Sequence, residues 1–312
     1  KICNTCEPSN QHTRINLMKK TLLFIMGTRP EAIKLAPVIL KAQATPSLFN
    51  VKICNVAQHR DLLTPVLSFF QIQPDYDLGV MTPNQSLFEL TSLAIKALER
   101  VFDEVSPDDV IVQGDTTTAF VGALAATYRQ CRVVHIEAGL RTSDKYAPFP
   151  EEINRRLLSQ LADIHFCPTS RAAQHLQSES IVKNVHVVGN TCIDALHLGL
   201  NTLDQKSVQE NKDYFLGQGV NFDQKIMLVT CHRRENHGKP LIEICNAIKA
   251  SVDAHKELEV VLPVHRNPNV GPIIRAHYHL SGLIHRRGPA RPWWRLHASA
   301  QDIGEGDNTE HR

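Results

Sequence analysis

Short apolar runs rich in β-branched residues alternate along the chain with stretches of helical period, and most of the runs stop at a glycine, an acid or a small polar cluster. Val110 to Val112 stops at Gly114-Asp115, and Thr116 to Thr118 then open a helical pattern through Ala119, Leu124 and Tyr128. Arg132 to Ile136 stops at Glu137-Ala138-Gly139, a polar loop follows, and Pro150-Glu151-Glu152 opens the next helix. Two strands joined by a helix, each ended by a carboxylate and a loop, describe a parallel βαβ unit. Upstream, Thr21 to Met26 predicts a strand, Gly27-Thr28-Arg29-Pro30 a turn, and the following stretch a helix with Ile33, Ala36, Pro37 and Leu40 inward; Pro37 should kink or tighten it. Val51 to Val56 is a strand, 61–70 and 86–103 are amphipathic helices, and Ile164 to Cys167 and Val185 to Val188 are strands with a helix between them.

Gly189-Asn190 closes this first unit. After a polar stretch at 201–225 the pattern restarts with a strand at Ile226 to Thr230, a helix at about 239–254 and a strand at 258–264. The expectation is an α/β protein of two Rossmann-like, doubly wound domains, 19–189 and a partial 190–280, with the boundary near 189. Residues 1–18 read as a foreign or disordered leader. Residues 281–312 contain no Val, Lys, Phe or Tyr but five Arg and both Trp, and show no strand or helix period, so they read as an aberrant tail.

Composition narrows the class. A chain of 312 residues is long enough for two domains, and 42% hydrophobic with 21% charged residues suits a globular protein. Lys+Arg 34 against Asp+Glu 32 leaves +2, which makes no case for a nucleic-acid or membrane partner. No apolar run is long enough to cross a bilayer, and no secretory stretch opens the chain. The eight Cys include one lone C-x-x-C, Cys3 and Cys6, with no second pair, so no zinc site is expected and the thiols read as reduced, in the cytoplasm.

Candidate chemistry gathers at the strand ends. Ligands of open α/β sheets sit beyond the carboxyl ends of the strands. Asp115 and Glu137 stand at two such ends and Glu151 heads the next helix, so three acids converge on one crevice. Local roles compete with this: Asp115 suits a helix cap, and Glu151 and Glu152, after Pro150 at N1, suit the helix dipole. Glu137 interrupts a strand that should be buried and needs a partner or a purpose. The Gly27 turn offers backbone N–H groups to an anion, with Arg29 and Lys34 adding positive charge, although one helical Lys is commonly just solvated. Gln58 and His59 are polar strand-end residues that suit a cleft lining or equally an ordinary loop position, and His232, with Arg233 beside it, suits a phosphate contact or proton donor more than a surface histidine.

The strings GTRPEAIKLAP (27–37), AQHR (57–60), QGDTTT (113–118), HIEAGLRT (135–142), FPEEINRR (149–156), GNTCIDAL (189–196), CHRREN (231–236) and PVHRNPNV (263–270) resemble, in this order, the non-hydrolysing UDP-N-acetylglucosamine 2-epimerases. The resemblance covers about residues 19 to 275. It implies a GT-B-type architecture and reversible C2 epimerisation of UDP-GlcNAc to UDP-ManNAc, by elimination and re-addition of UDP through a 2-acetamidoglucal, for surface polysaccharide precursors. It implies Asp115, Glu137, Glu151 and His232 as catalytic. Our own assignment within that set takes Asp115 and Glu151 as the proton-transfer groups, with Glu137 holding the sugar or tuning its neighbours. Arg29, Lys34 and His232 would stabilise the leaving diphosphate, and Gln58 and His59 would border a regulatory nucleotide-sugar site. No cofactor or metal is implied, and the partners are UDP-GlcNAc, UDP and a second copy in a cytoplasmic homodimer. The sequence departs from the family in lacking the Asp-Ser-Gly-Gly loop, its downstream Glu and the C-terminal helix that returns to the first domain. The second domain is therefore expected to be incomplete, the change after about residue 280 to reflect a shifted reading frame, and turnover by this chain to be impaired. A hydrolysing epimerase, a GT-B glycosyltransferase and a non-enzymatic binding remnant are the other readings.

Overall fold

The structure, a computed structural model, describes residues 19–56, 60–80, 82, 85–231, 236–264, 270–277 and 293–296. Two compact units divide between Thr202 and Leu203. The first carries β1 (Lys20–Met26), α1 (Arg29–Gln43), β2 (Phe49–Asn55), α2 (Arg60–Phe69), β3 (Tyr76–Asp77), α3 (Leu87–Val105), β4 (Asp109–Gln113), α4 (Thr117–Tyr128), β5 (Arg132–Ile136), α5 (Glu151–Leu161), β6 (Ile164–Cys167), α6 (Ser170–Ser178), β7 (Val185–Val187) and α7 (Thr191–Thr202). Its seven strands are ordered β3-β2-β1-β4-β5-β6-β7 and every neighbouring pair is parallel. The order reverses between β1 and β4, which puts the loops after these two strands at the topological switch point.

Both faces of this sheet are buried, which is why its central strands read as continuous apolar runs instead of alternating ones. Leu23 and Ile25 of β1, Val110 and Val112 of β4 and Val133 of β5 face α3, α4 and α5. Phe24, Met26, Ile111, Val134 and Ile136 face the opposite way, against α1 and α2. Helix α1 runs on through Pro37.

The boundary lies later than the expected 189. Gly189 does turn the chain, at φ 85°, but α7 then packs on α1 and so belongs to the first unit. The polar stretch at 201–225 likewise holds the end of α7 and a further helix, α8 (Gln205–Gly217), capped by the Asp204 carboxylate. None of the α8 residues is buried, so the burial-driven period that marks a helix in sequence is missing there.

The second unit continues with β8 (Lys225–Leu228), α9 (Lys239–Ala254), β9 (Leu258–Pro263) and α10 (Gly271–His277). β8 and β9 pair in parallel, and α9 buries Leu241, Cys245, Ile248 and Val252. This is a second βαβ unit of the same kind, and the expected fold class holds. Ile226 and Leu228 of β8 stay exposed. Within 281–312, where no strand was expected, β10 (Trp293–Leu296) pairs antiparallel with β9. An open sheet edge offers unpaired N–H and C=O groups to any extended segment, so such pairing needs no apolar period. Among the described residues no helix is long and apolar enough to cross a membrane.

Candidate active site

In the first unit each strand-end acid is held by a direct bond to a cation from a helix, Glu137 by Lys34 and Asp115 by Arg155. The β1–α1 turn is closed by a capping box: Thr28 accepts from the Glu31 amide while the Glu31 carboxylate reaches back to the Thr28 amide. Gly27 suits this turn because an added Cβ would lie 2.5 Å from the Thr118 hydroxyl of α4. Arg29 is exposed at the first turn of α1. Lys34, further along, is not a solvated helical residue. Its Nζ donates to Glu137 Oε2 at 2.5 Å, across the switch point.

Glu137 ends β5 in the left-handed region, at φ 67°. The same Oε2 also accepts from Gln113 Nε2, at the end of β4, at 2.6 Å. The partners that this acid needed are therefore a cation from the second turn of α1 and an amide from the end of β4. His135, fully buried beside it on β5, donates through Nε2 to the Gly114 carbonyl at 2.7 Å. Burial pulls its pKa down to about 4, so near neutral pH the ring is uncharged.

Asp115 does not cap α4. That role belongs to Thr116, whose hydroxyl accepts from the Ala119 amide at 3.0 Å. The Asp115 carboxylate instead receives Arg155 Nη2 at 2.5 Å, and the Asp115 carbonyl accepts from Asn154 Nδ2. Both partners come from α5. Pro150 is the N-cap of that helix, not N1, and Glu151 is its first residue.

The two acids that open α5 separate clearly. Glu152 is fully buried and spends its oxygens on the Thr142 amide, Arg155 and Arg156, which is a structural role. Glu151 has one carboxylate oxygen, Oε2, buried without a hydrogen-bond partner among the described residues. A buried acid oxygen left in that state is costly unless a proton or a bound hydroxyl meets it.

Asp115, Glu137, Glu151 and Lys34 thus gather at the carboxyl edge of β1, β4 and β5 and the head of α5, and Arg29 lies at the same edge. Gln58, His59 and His232 lie outside the described residues. Sequence reasoning missed Gln113 and Arg155. Gln113 ends a buried strand and Arg155 lies one helical turn after Glu151, positions near the expected crevice that carry no local sign of either contact. The cavity of about 850 Å³ in this unit is a different place. It lies on the apolar face formed by Phe24, Ile111, Ile136 and Phe166 under α1 and α7, and none of these site residues lines it.

A doubly wound sheet with acid–cation pairs beside its switch point is an α/β protein of the open, ligand-binding kind, whose ligands sit beyond the carboxyl ends of the strands. The family model for UDP-N-acetylglucosamine 2-epimerase matches residues 41–289, and the chain belongs to that family. The match reaches beyond the 275 expected from the sequence strings. A UDP-N-acetylglucosamine 2-epimerase of Salmonella borreze is 44% identical over 264 residues, covering 84% of this chain and 69% of the relative. The solved structure of a Neisseria meningitidis UDP-GlcNAc 2-epimerase bound to UDP-GlcNAc is 45% identical, covers 85% of this chain and 70% of its own, and superposes with a TM-score of 0.77. A Methanocaldococcus jannaschii UDP-GlcNAc 2-epimerase solved with UDP-GlcNAc and UDP is 28% identical, at 84% and 68% coverage and a TM-score of 0.62. The chain spans about two thirds of the length of the curated relatives it matches.

Proposed function

We propose that this protein carries the acid–base half of a non-hydrolysing UDP-GlcNAc 2-epimerase. The observation that carries the reading is the pair of bonded acid–cation contacts at the switch point, Lys34 with Glu137 and Asp115 with Arg155, in a member of this family. The C2 hydrogen of a 2-acetamido sugar is not acidic, so inversion is easiest when the C1–O bond to UDP breaks as a base removes the C2 proton. The 2-acetamidoglucal and UDP then recombine: the C1–O bond re-forms and a proton is delivered to C2 on the other face. One group is needed on each face. Asp115 and Glu151 are assigned these roles, and the buried, unpartnered oxygen of Glu151 supports its share. Glu137, fixed by Lys34 and Gln113, holds the sugar, and Arg29 favours the departing diphosphate; the Gly27 and Thr28 amides at the head of α1 are taken by the Glu31 carboxylate and are not open to an anion. The family resemblance adds His232 at that diphosphate, Gln58 and His59 beside a regulatory nucleotide-sugar site, a homodimer, a cytoplasmic location and a role in surface polysaccharide precursors.

The test uses a continued chain, in which residues 1–275 are followed by the C-terminal third of the Neisseria meningitidis relative. Supplied with UDP-GlcNAc, it should give an equilibrium mixture with UDP-ManNAc in the NMR spectrum. Release of free ManNAc with UDP would instead assign a hydrolysing epimerase, and a glycosylated acceptor a transferase.

A further inference from the structure

Glu31 is almost completely buried, yet no cation accounts for it among its bonded partners. Its carboxylate accepts four hydrogen bonds. Oε2 takes the Gly27 amide at 3.1 Å, the Thr28 amide at 2.7 Å and the Thr28 hydroxyl at 2.7 Å. Oε1 takes the Thr116 hydroxyl at 2.6 Å, from a residue 85 positions away. The Thr116 hydroxyl accepts from the Ala119 amide and donates its proton to Glu31. Burial lifts the Glu31 pKa, and these four donors oppose the lift.

A capping box alone needs only the local bonds to Thr28. The bond to Thr116 goes further, because it joins the turn after β1 to the turn after β4. The first turn carries Arg29 and leads to Lys34, and the second carries Asp115. We infer that Glu31 is a positioning residue: its carboxylate clamps the β1–α1 and β4–α4 turns together and so fixes the spacing between Arg29 at the head of α1 and Asp115. This rests on the reading of Arg29, Lys34 and Asp115 as one nucleotide-sugar site. An amide serves the clamp less well: with its oxygen on the Gly27 and Thr28 amides, its NH2 could only donate to the Thr116 hydroxyl, a neutral bond that leaves the hydroxyl proton without its carboxylate acceptor.

The test is amide hydrogen exchange and UDP-GlcNAc titration by NMR on the 312-residue chain, comparing E31Q, T116V and T116S. Wild type and T116S, which keeps the hydroxyl, should protect the Gly27 and Thr28 amides and bind UDP-GlcNAc alike. T116V should melt within a few degrees of wild type, yet speed exchange at Gly27 and Thr28, on the other turn, and weaken UDP-GlcNAc binding by about tenfold. E31Q should do the same more strongly. Unchanged exchange and binding in folded T116V would overturn the clamp, whether or not E31Q folds, and so would a T116S chain as impaired as T116V. If wild type binds no UDP-GlcNAc at millimolar concentration, the first unit does not hold the nucleotide sugar without the diphosphate loop, and the functional reading is decided by the continued chain. The exchange comparison then decides the clamp by itself: faster exchange in T116V supports it and unchanged exchange refutes it.

Discussion

Lys34 Nζ lies 2.5 Å from Glu137 Oε2, a contact between residues 103 positions apart that spans the point where the strand order reverses. The ammonium comes from the second turn of α1 and the carboxylate from a strand end with left-handed backbone, and Gln113 completes the set from the strand between. Replacing Glu137 by Gln keeps the shape and removes the charge that holds Lys34. In the continued chain, E137Q should lower turnover by about a hundredfold or more. K34M should lower it comparably, and the double variant should lose little beyond either single change, because the two act as a unit. Additive losses in steady-state kinetics would contradict the coupling.

The two acids that open α5 should respond oppositely to the same substitution. Glu152 is fully buried between Arg155, Arg156 and the Thr142 amide, so E152Q should cost the first unit about 3 kcal/mol in urea unfolding. Glu151 has no such bonds among the described residues, so E151Q should leave stability within about 0.5 kcal/mol while lowering turnover by about a hundredfold. A stable E152Q together with a destabilised E151Q would reverse the assignment.

Acid should loosen the first unit through His135. Its folded pKa of about 4 lies below its ordinary value of 6.5, so between these values the unfolded chain binds the extra proton. Stability is therefore complete above pH 6.5, falls as pH drops from 6.5 towards 4, and has lost about 3 kcal/mol from this group at and below 4. His165, its cross-strand neighbour, is shifted the same way by burial and adds to the slope. Urea midpoints from pH 7 to pH 4 should fall more steeply in wild type than in H135Q, and equal slopes would contradict the burial argument.

Much of this arrangement was legible because the chemistry falls where the apolar pattern breaks. Val110 to Val112 and Val133 to Ile136 are buried on both faces, so their continuous runs mark parallel strands, and Asp115 and Glu137 stand out as the residues that end them. The helices α7 and α8 were not legible, since several apolar residues of α7, such as Ile193, Leu196 and Leu200, stay exposed and α8 buries nothing. The two-residue strand β3 is too short for any period to show. Arg155 and Gln113 were hidden for another reason: an ion pair or amide contact across 40 or 24 positions leaves no local pattern, and only the folded sheet brings its ends together.

The 312-residue chain spans about two thirds of its relatives' length, and its second unit leaves Leu228 and most of α8 exposed. Its sequence also lacks the Asp-Ser-Gly-Gly loop expected to hold the diphosphate. One lost transition-state donor commonly costs about 3 kcal/mol, and several together should abolish turnover. Purified 1–312 should interconvert UDP-GlcNAc and UDP-ManNAc no faster than a blank, whereas the continued chain should do so readily. Robust epimerisation by 1–312 would show that the first unit and this partial second unit suffice.

The central claim is that carboxylates at the ends of β4 and β5 and the head of α5 move the C2 proton during elimination and re-addition. It is tested most directly by running the continued chain on UDP-GlcNAc in deuterium oxide and reading C2 of both sugars by NMR. The account predicts deuterium at C2 of the UDP-ManNAc formed and, with time, of the recovered UDP-GlcNAc, with incorporation lost in D115N and E151Q. UDP-ManNAc that retains the original C2 hydrogen would contradict it.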